Sequence, residues 1–367
     1  MSRLPVGIVG CGNISKIYAQ AGGTFDNLAI VACADLDRSR AEALAQEYGI
    51  PKVQEVEELL ASPDVALVIN LTVPSAHGDI AWAALKKGKH VYNEKPLALR
   101  RREARDLIGL ARDKDLRIGC APDTFLGAGL QTCRRLIDEG AIGVPVAGSA
   151  FMLGSGPESW HPNPAFFYQK GAGPLFDMGP YYLTALTALL GPVRRVTASA
   201  RVSFKRREIT SQPLAGQMIE VEVPTHVSAV MDFESGPVVT LTTSFDVEAS
   251  RLPRIEIYGS EGTLGVPDPN TFGGEVWLRR RGDADWRSVP LEFGYAENSR
   301  GLGVADMAAA LISGREHRAN ERVAYHVLDL MHSILDASES GRHVELRSAM
   351  VRPVPLPLGL APGQIDA

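Results

Sequence analysis

VGIVGCGNIS, residues 6–15, is the stretch on which the reading of the fold turns. An apolar run from Val6 to Val9 reads as a buried strand and stops at Gly10-x-Gly12-x-x-Ser15, after which the pattern turns helical. Glycine in the first place allows a tight turn, and in the second it lets the backbone approach a pyrophosphate. That group would rest on the unpaired amides of a helix N-terminus. Ser15 takes the third place, which concerns helix–strand packing and accepts a small side chain. The following strand, AIVACADLD, ends at Asp35, roughly 20 residues on, where an acid binds ribose hydroxyls. Together these predict a dinucleotide site in which Gly10, Gly12, Asn13 and Ile14 form the turn and Asp35 holds the ribose. Asp35 would repel a 2′-phosphate, so NAD is the expected cofactor. Arg38 lies close enough to keep NADP as the alternative.

Up to about residue 122 this strand–helix rhythm continues. RSRAEALAQEYGI reads as a helix ending at Gly49, VALVINLTVP, KHVYNEKP and LRIGCAP as strands, and DIAWAALKKG and REARDLIGLARDKD as helices. Such alternation implies right-handed parallel crossovers and an α/β doubly wound parallel sheet. Beyond it, LQTCRRLIDEGAIG is helical, a loop rich in Gly, Pro and aromatics is expected over about 152–180, and YYLTALTALLG is helical again. In VSAVMDFESGPVVTLTTSFDV, period-two alternation on either side of ESGP predicts a hairpin with one covered face. RIEIYGSEGTLGV and EVWLRRRGDADWRSVPL supply further antiparallel strands. Two domains follow: residues 1–122, dinucleotide-binding, and residues 123–367, an α+β domain with a large open, mostly antiparallel sheet. An open sheet needs cover, so a homodimer or homotetramer through that sheet is expected. The Pro-rich tail after Val351 should be an extended strap or a frayed end.

The 367 residues suffice for two cores, and 45% hydrophobic with 22% charged residues is an ordinary globular balance. A net charge of -5 and only short arginine runs argue against a nucleic-acid partner. No apolar run reaches membrane-span length, and the N-terminus passes straight into a strand without a leader pattern. Four cysteines without a C-x-x-C pair point to reduced thiols and a cytoplasmic protein. The histidines show no ligand spacing, so no metal is expected.

Open α/β sheets bind ligands beyond the carboxyl ends of their strands. NLTVPSAH places Thr72, Pro74 and His77 there as cofactor contacts, with a surface position as the other reading of His77. YNEKPLA places Glu94 and Lys95 there, and a desolvated lysine beside a nicotinamide cation would have a lowered pKa and could exchange a proton with substrate. GAGPLFDMGPYY, residues 171–182, adds Asp177 and Tyr181, four apart, with Tyr182 as a second choice. Upstream, ESWHPNPAFFYQ offers Trp160, His161 and Tyr168 as an aromatic wall for a sugar, or else as inward packing. His161 is also an alternative acid–base group. Asp123, in APDTFLG, either contacts substrate or caps the next helix.

GIVGCGNIS, VACADLD, GKHVYNEKPLA with its E-K-P signature, GAGPLFDMGPYY and IYGSEGTL, in this order, resemble the Gfo/Idh/MocA oxidoreductases over nearly the whole chain. The resemblance implies a Rossmann-like N-terminal domain and nicotinamide-dependent hydride transfer at a carbinol or carbonyl carbon of a sugar, cyclitol or related small molecule. It places the family's catalytic lysine on Lys95 and its motif aspartate on Asp177. Where many members carry a histidine, this chain has Tyr181, and the cation of Lys95 would draw that phenol toward working pH. Two rivals remain within the resemblance: an NAD-assisted glycosidase and a non-catalytic NAD-binding sensor.

Overall fold

The computed structural model describes residues 3–366. The chain begins with β1 (Leu4–Val9), α1 (Ser15–Thr24), β2 (Leu28–Ala34), α2 (Arg38–Tyr48), β3 (Lys52–Val53), α3 (Val56–Ala61) and β4 (Leu67–Asn70). It continues through α4 (His77–Lys86), β5 (His90–Asn93), α5 (Arg101–Asp113) and β6 (Ile118–Cys120). All six strands run parallel in the order β3-β2-β1-β4-β5-β6. The strand order reverses between β1 and β4, and a crevice opens there at the carboxyl edge. The helix ends follow local chemistry. Asp37 caps α2 by accepting from the Ser39 amide, and Gly49, at φ 66°, closes it in the left-handed conformation.

The second half comprises α6 (Ala128–Asp138), β7 (Pro145–Leu153), α7 (Gly173–Asp177), α8 (Gly179–Leu190), β8 (Val193–Arg201), β9 (Arg206–Glu208) and β10 (Met218–Glu220). After these come β11 (His226–Phe233), β12 (Val238–Ser244), β13 (Ile255–Gly259), β14 (Gly262–Val266), β15 (Val276–Arg280) and β16 (Arg287–Val289). Last are α9 (Leu302–Ser313), α10 (Glu321–Ser340) and β17 (Val344–Glu345). Nine strands form one sheet, β16-β15-β14-β13-β7-β12-β11-β8-β17, antiparallel except for the β7–β12 pair. The predicted hairpin is β11–β12, with Val227, Ala229, Met231 and Phe233 buried on one strand and Val239 and Leu241 on the other. Every residue of α8 is buried, as expected for a helix apolar on all sides.

One expectation needs correction, one open alternative is resolved, and one set of contacts has no counterpart in the sequence reading. The long loop is interrupted: β7 runs to Leu153, a 3-10 turn occupies Pro164–Tyr168, and α7 precedes α8. Its aromatics build a satellite core of Phe167, Tyr168, Ile209, Ile219 and Phe245. The strap reading of the tail holds and the frayed one does not. Leu356 and Ile365 are buried, the Leu356 amide donates to Gln131 Oε1 at 2.8 Å, and Tyr295 donates its hydroxyl to the Gln364 carbonyl. Finally, the chain from Leu302 onward returns to the first sheet. Cys120 N donates to Ala319 O at 3.0 Å, Asn27 Nδ2 to Ala305 O at 2.8 Å, and Arg101 on α5 pairs with Asp329 on α10 at 2.6 Å.

Candidate active site at the edge of the parallel sheet

The turn after β1 is built for close approach. Gly10 sits at φ 97°, where a Cβ would lie 2.7 Å from the Leu71 carbonyl, so only glycine fits. A Cβ on Gly12 would meet nothing within 4 Å, which leaves open space above the turn. Ser15, fully buried, donates to Gly12 O at 2.6 Å and closes the turn. No side chain caps the N-terminus of α1; the Ser15 amide turns back to Gly12 O at 3.1 Å, and the amides after it can receive an anion. Asp35 accepts from the Cys11 amide at 2.6 Å and the Asp37 amide at 2.8 Å, fixing its carboxylate beside the turn. Ile14, Leu36 and Val73, apolar yet exposed, stand beyond the ends of the neighbouring strands β1, β2 and β4. A dinucleotide fits these residues: an amide cradle for its phosphates, an acid for its ribose, and apolar edges for its flat rings. Arg38, by contrast, is engaged by Glu42 and Glu55, each at 3.0 Å, on the exposed surface.

His77 is neither a surface residue nor a cofactor contact. It is buried, with Nδ1 2.8 Å from Pro96 O and Nε2 3.0 Å from Thr72 O, so it joins the loops after β4 and β5. Burial holds its pKa below the usual histidine range. Thr72 is itself fixed by Asn70, through a 2.7 Å bond to its hydroxyl, and Pro74 opens the exposed turn that follows. Glu94 commits both oxygens internally, accepting from the Tyr18 hydroxyl of α1 at 2.8 Å and from the Lys95 amide at 2.9 Å.

Lys95 meets the second half of the chain. Its Nζ donates to Asp177 Oδ1 at 2.9 Å and to Asp177 O at 2.6 Å, and lies 5.4 Å from the centre of the Tyr181 ring. Asp177 ends α7 and Tyr181 lies in the first turn of α8, so the break at Met178 lets both face the lysine. Burial opposes the charge of Lys95, but Asp177, Tyr181 and Glu94 outweigh it, and the ammonium titrates above the ordinary lysine range. The lowered pKa expected from the sequence is therefore corrected, because the ammonium is held by an anion and a carbonyl. Two of its three N–H groups are used, leaving one to donate to a substrate oxygen. Burial likewise pushes the Tyr181 phenol up; Lys95 and Arg300 pull it down without cancelling the rise. Tyr182 points away, toward Arg254 and Asp268.

Asp123 does not face a substrate. It is buried, and Oδ2 accepts from Gly301 N at 3.0 Å and Gly303 N at 2.9 Å, so it caps α9 and not the helix next in sequence. Burial pushes its carboxyl up to about 6. Trp160, which is exposed, and His161 pack edge-on against each other and against Phe167 at the margin of the satellite cluster. His161 Nδ1 accepts from Asn163 N at 3.0 Å, so that nitrogen is occupied. Tyr168 is buried, donating to Glu158 at 2.6 Å. Sequence reasoning missed Arg300, in the segment before α9, whose positive charge helps to draw the Tyr181 phenol down. No local motif marks it; the only signal is the pair of glycines, Gly301 and Gly303, that follows.

Comparison with known proteins fits this geometry. Residues 4–121 match the model of an oxidoreductase family with an NAD-binding Rossmann fold, and residues 130–265 match the GFO/IDH/MocA C-terminal domain. The chain belongs to the Gfo/Idh/MocA oxidoreductases. Among members of that family, D-glucoside 3-dehydrogenase of Escherichia coli (strain K12) is 25% identical over 364 residues, covering 94% of this chain and 98% of its own. The 1,5-anhydro-D-fructose reductase of Ensifer adhaerens is 26% identical over 264 residues, 70% of this chain and 74% of the reductase. Levoglucosan dehydrogenase in complex with NADH and levoglucosan shares the fold, with a TM-score of 0.80 at 22% identity over 95% of this chain and 100% of that one. This Gfo/Idh/MocA chain is an NAD(P)-dependent oxidoreductase. Its curated relatives are named as dehydrogenases and reductases, which favours neither the glycosidase nor the sensor.

Proposed function

We propose that this oxidoreductase acts on a secondary alcohol, or the matching carbonyl, of a small polyhydroxylated molecule such as a sugar, an anhydro sugar or an inositol. The observation that carries the reading is the convergence of Lys95, Asp177 and Tyr181 at the same carboxyl edge of the parallel sheet as the glycine turn. Bound on that turn, a nicotinamide supplies the hydride acceptor or donor. Lys95, kept cationic by Asp177, donates its remaining N–H to the reacting oxygen and stabilises negative charge there. Tyr181, as phenolate, takes the hydroxyl proton, or as phenol returns it in the reverse direction. Asp177 positions the ammonium and a neighbouring hydroxyl. NAD is the preferred cofactor, since Asp35 faces the ribose and Arg38 is engaged by two carboxylates.

Residues 1–122 carry the cofactor and 123–367 the substrate and the subunit contact in this reading. The outer face of the nine-stranded sheet supports a homodimer or homotetramer. Val230, Val238 and Trp277 are more than a third exposed there, alternating with the buried core side. The four cysteines are unpaired and buried, which supports a reducing, cytoplasmic setting. No described helix is long and apolar enough to cross a membrane.

The test is absorbance at 340 nm with NAD or NADP and a panel of aldoses, anhydro and deoxy sugars, inositols and sugar acids, with Lys95→Ala as control. NADH formation by the wild type alone is expected. A signal that survives in the variant sinks the assignment of Lys95, and no signal with any panel member sinks the substrate class.

A further inference from the structure

Lys95 is fastened at both ends. Its ammonium is tied to Asp177 in the second half of the chain, and its backbone amide donates to Glu94 Oε2 at 2.9 Å. The other oxygen of Glu94, Oε1, accepts from the Tyr18 hydroxyl at 2.8 Å. Tyr18 lies in the first turn of α1, the helix that begins at the glycine turn. A line of hydrogen bonds therefore runs from that helix, through Glu94 and Lys95, to Asp177.

The rest of this loop is held from elsewhere. The Glu94 amide donates to Asn70 O at 2.9 Å, the Pro96 carbonyl meets His77, and the Leu97 carbonyl accepts from Asn93 Nδ2 at 3.0 Å. Those partners sit at the ends of β4 and β5 and the start of α4, so they register the loop to the parallel sheet. Tyr18 registers it to α1. The tyrosine itself is wholly buried, and Gly301 closes over it, since a Cβ there would lie 2.7 Å from Ala21 Cβ and 3.9 Å from the Tyr18 ring. Burial and the charge of Glu94 hold its phenol far above the ordinary tyrosine range, so it stays a donor at working pH. One carboxylate bridging a phenol and a main-chain amide makes a joint of two charge-assisted bonds.

We propose that Tyr18 is a positioning residue for hydride transfer: through Glu94 it sets the place of the Lys95 backbone, and so of the ammonium, relative to the helix at the cofactor turn. This rests on the reading of Lys95 as the group that meets the reacting oxygen. Placement at a reacting centre is demanding, and a displacement of about 1 Å can cost about 10²-fold in rate. The competing role, plain satisfaction of a buried carboxylate, would lower stability and leave the catalytic step alone.

Tyr18→Phe keeps the ring and removes the donor, which frees the Glu94 carboxylate to swing off the Lys95 amide. On the substrate-free protein, hydrogen exchange of that amide, followed by NMR beside the amides of β5, should quicken by about tenfold, the worth of one charge-assisted bond. The β5 amides should exchange as in the wild type. A Lys95 amide that is unmoved, or that quickens only in step with β5, overturns the proposal. With a substrate from the panel, Tyr18→Phe should lower kcat by about tenfold with little change in KM or in NADH affinity read from its fluorescence. No loss, or a loss confined to NADH affinity, overturns it. Glu94→Ala should lower kcat at least as far, and adding Tyr18→Phe should cost nothing more; losses that multiply overturn the route through Glu94. Glu94→Gln, whose amide can still join Tyr18 and the Lys95 amide, should lose much less than Glu94→Ala. Equal losses mean charge and not placement, and overturn it too. If Tyr18→Phe does not fold, the two Glu94 variants carry the comparison, in exchange and in kcat. Should Lys95→Ala retain full hydride transfer, the reading of Lys95 falls, while the exchange rates still decide whether Tyr18 holds its backbone.

Discussion

Lys95 stands where two halves of the chain touch, and its chemistry follows from a single partner. Because Asp177 holds the ammonium above the ordinary range, the role proposed for the lysine is that of a fixed charge and not of a proton shuttle. Lys95→Met should therefore abolish turnover at every pH, and a kcat profile from pH 6 to 10 checks this; partial recovery at alkaline pH would count against a fixed charge. Tyr181→Phe removes the proposed proton acceptor and should lower kcat by about 10²–10⁴ with little change in KM, read from steady-state NADH formation. Freeing Arg38 by Glu42→Gln with Glu55→Gln should raise kcat/KM for NADP relative to NAD by on the order of tenfold, the worth of one charge-assisted contact. Gly10, Asp35, Lys95, Asp177 and Tyr181 were legible because each sits in a local pattern with its own physical reason. Arg300 was not, since its place depends on a return of the chain across the molecule. Asp123 and His77 were misread for a related reason: a polar residue at a strand end reads as ligand-facing until its burial is known.

At the level of elements, the parallel sheet could be read from alternation alone because each strand is a short apolar run bounded by turn residues. β7 was harder. PVAGSAFML mixes small residues with apolar ones, and its pairing, parallel to β12 and antiparallel to β13, is a tertiary choice. The break between α7 and α8 falls at Met178, within the stretch expected as loop, and the short helix α7 before it was not read from the sequence. The turn after β1 makes the sharpest demand on a residue type. Gly10→Ala forces a Cβ against the Leu71 backbone at positive φ, a strain of about 1–3 kcal/mol unless the turn moves. Its melting temperature should fall, and the rise in melting temperature that NAD gives the wild type should be lost. An unchanged NAD-induced rise would mean that the turn does not hold the pyrophosphate.

Across the whole molecule, buried imidazoles set the response to acid. His326 on α10 accepts the Val193 amide at Nε2, 3.0 Å away, and its Nδ1 lies 2.9 Å from Ser348 Oγ, so the native ring is neutral. Burial lowers its pKa to about 4 from about 6.5. The unfolded chain thus binds the extra proton first as pH falls. The stability from this histidine is complete above about pH 6.5 and is lost progressively toward pH 4. His77, His317 and His332 are shifted the same way by burial. Asp123, whose carboxyl is pushed up to about 6, acts in the opposite sense over part of that window and offsets some of the loss. The melting temperature should fall between pH 6.5 and 4, and more shallowly in His326→Gln; parallel curves would rule out His326 as a source. The return of α9 and α10 onto the first sheet has a different consequence, for protein engineering. The cofactor-binding half is not a contiguous cassette, because β6, Asn27 and α5 are completed by residues from beyond position 302. A chimera that exchanges cofactor preference by grafting the first 122 residues alone would leave those seams mismatched, and a working graft has to carry both ends of the chain.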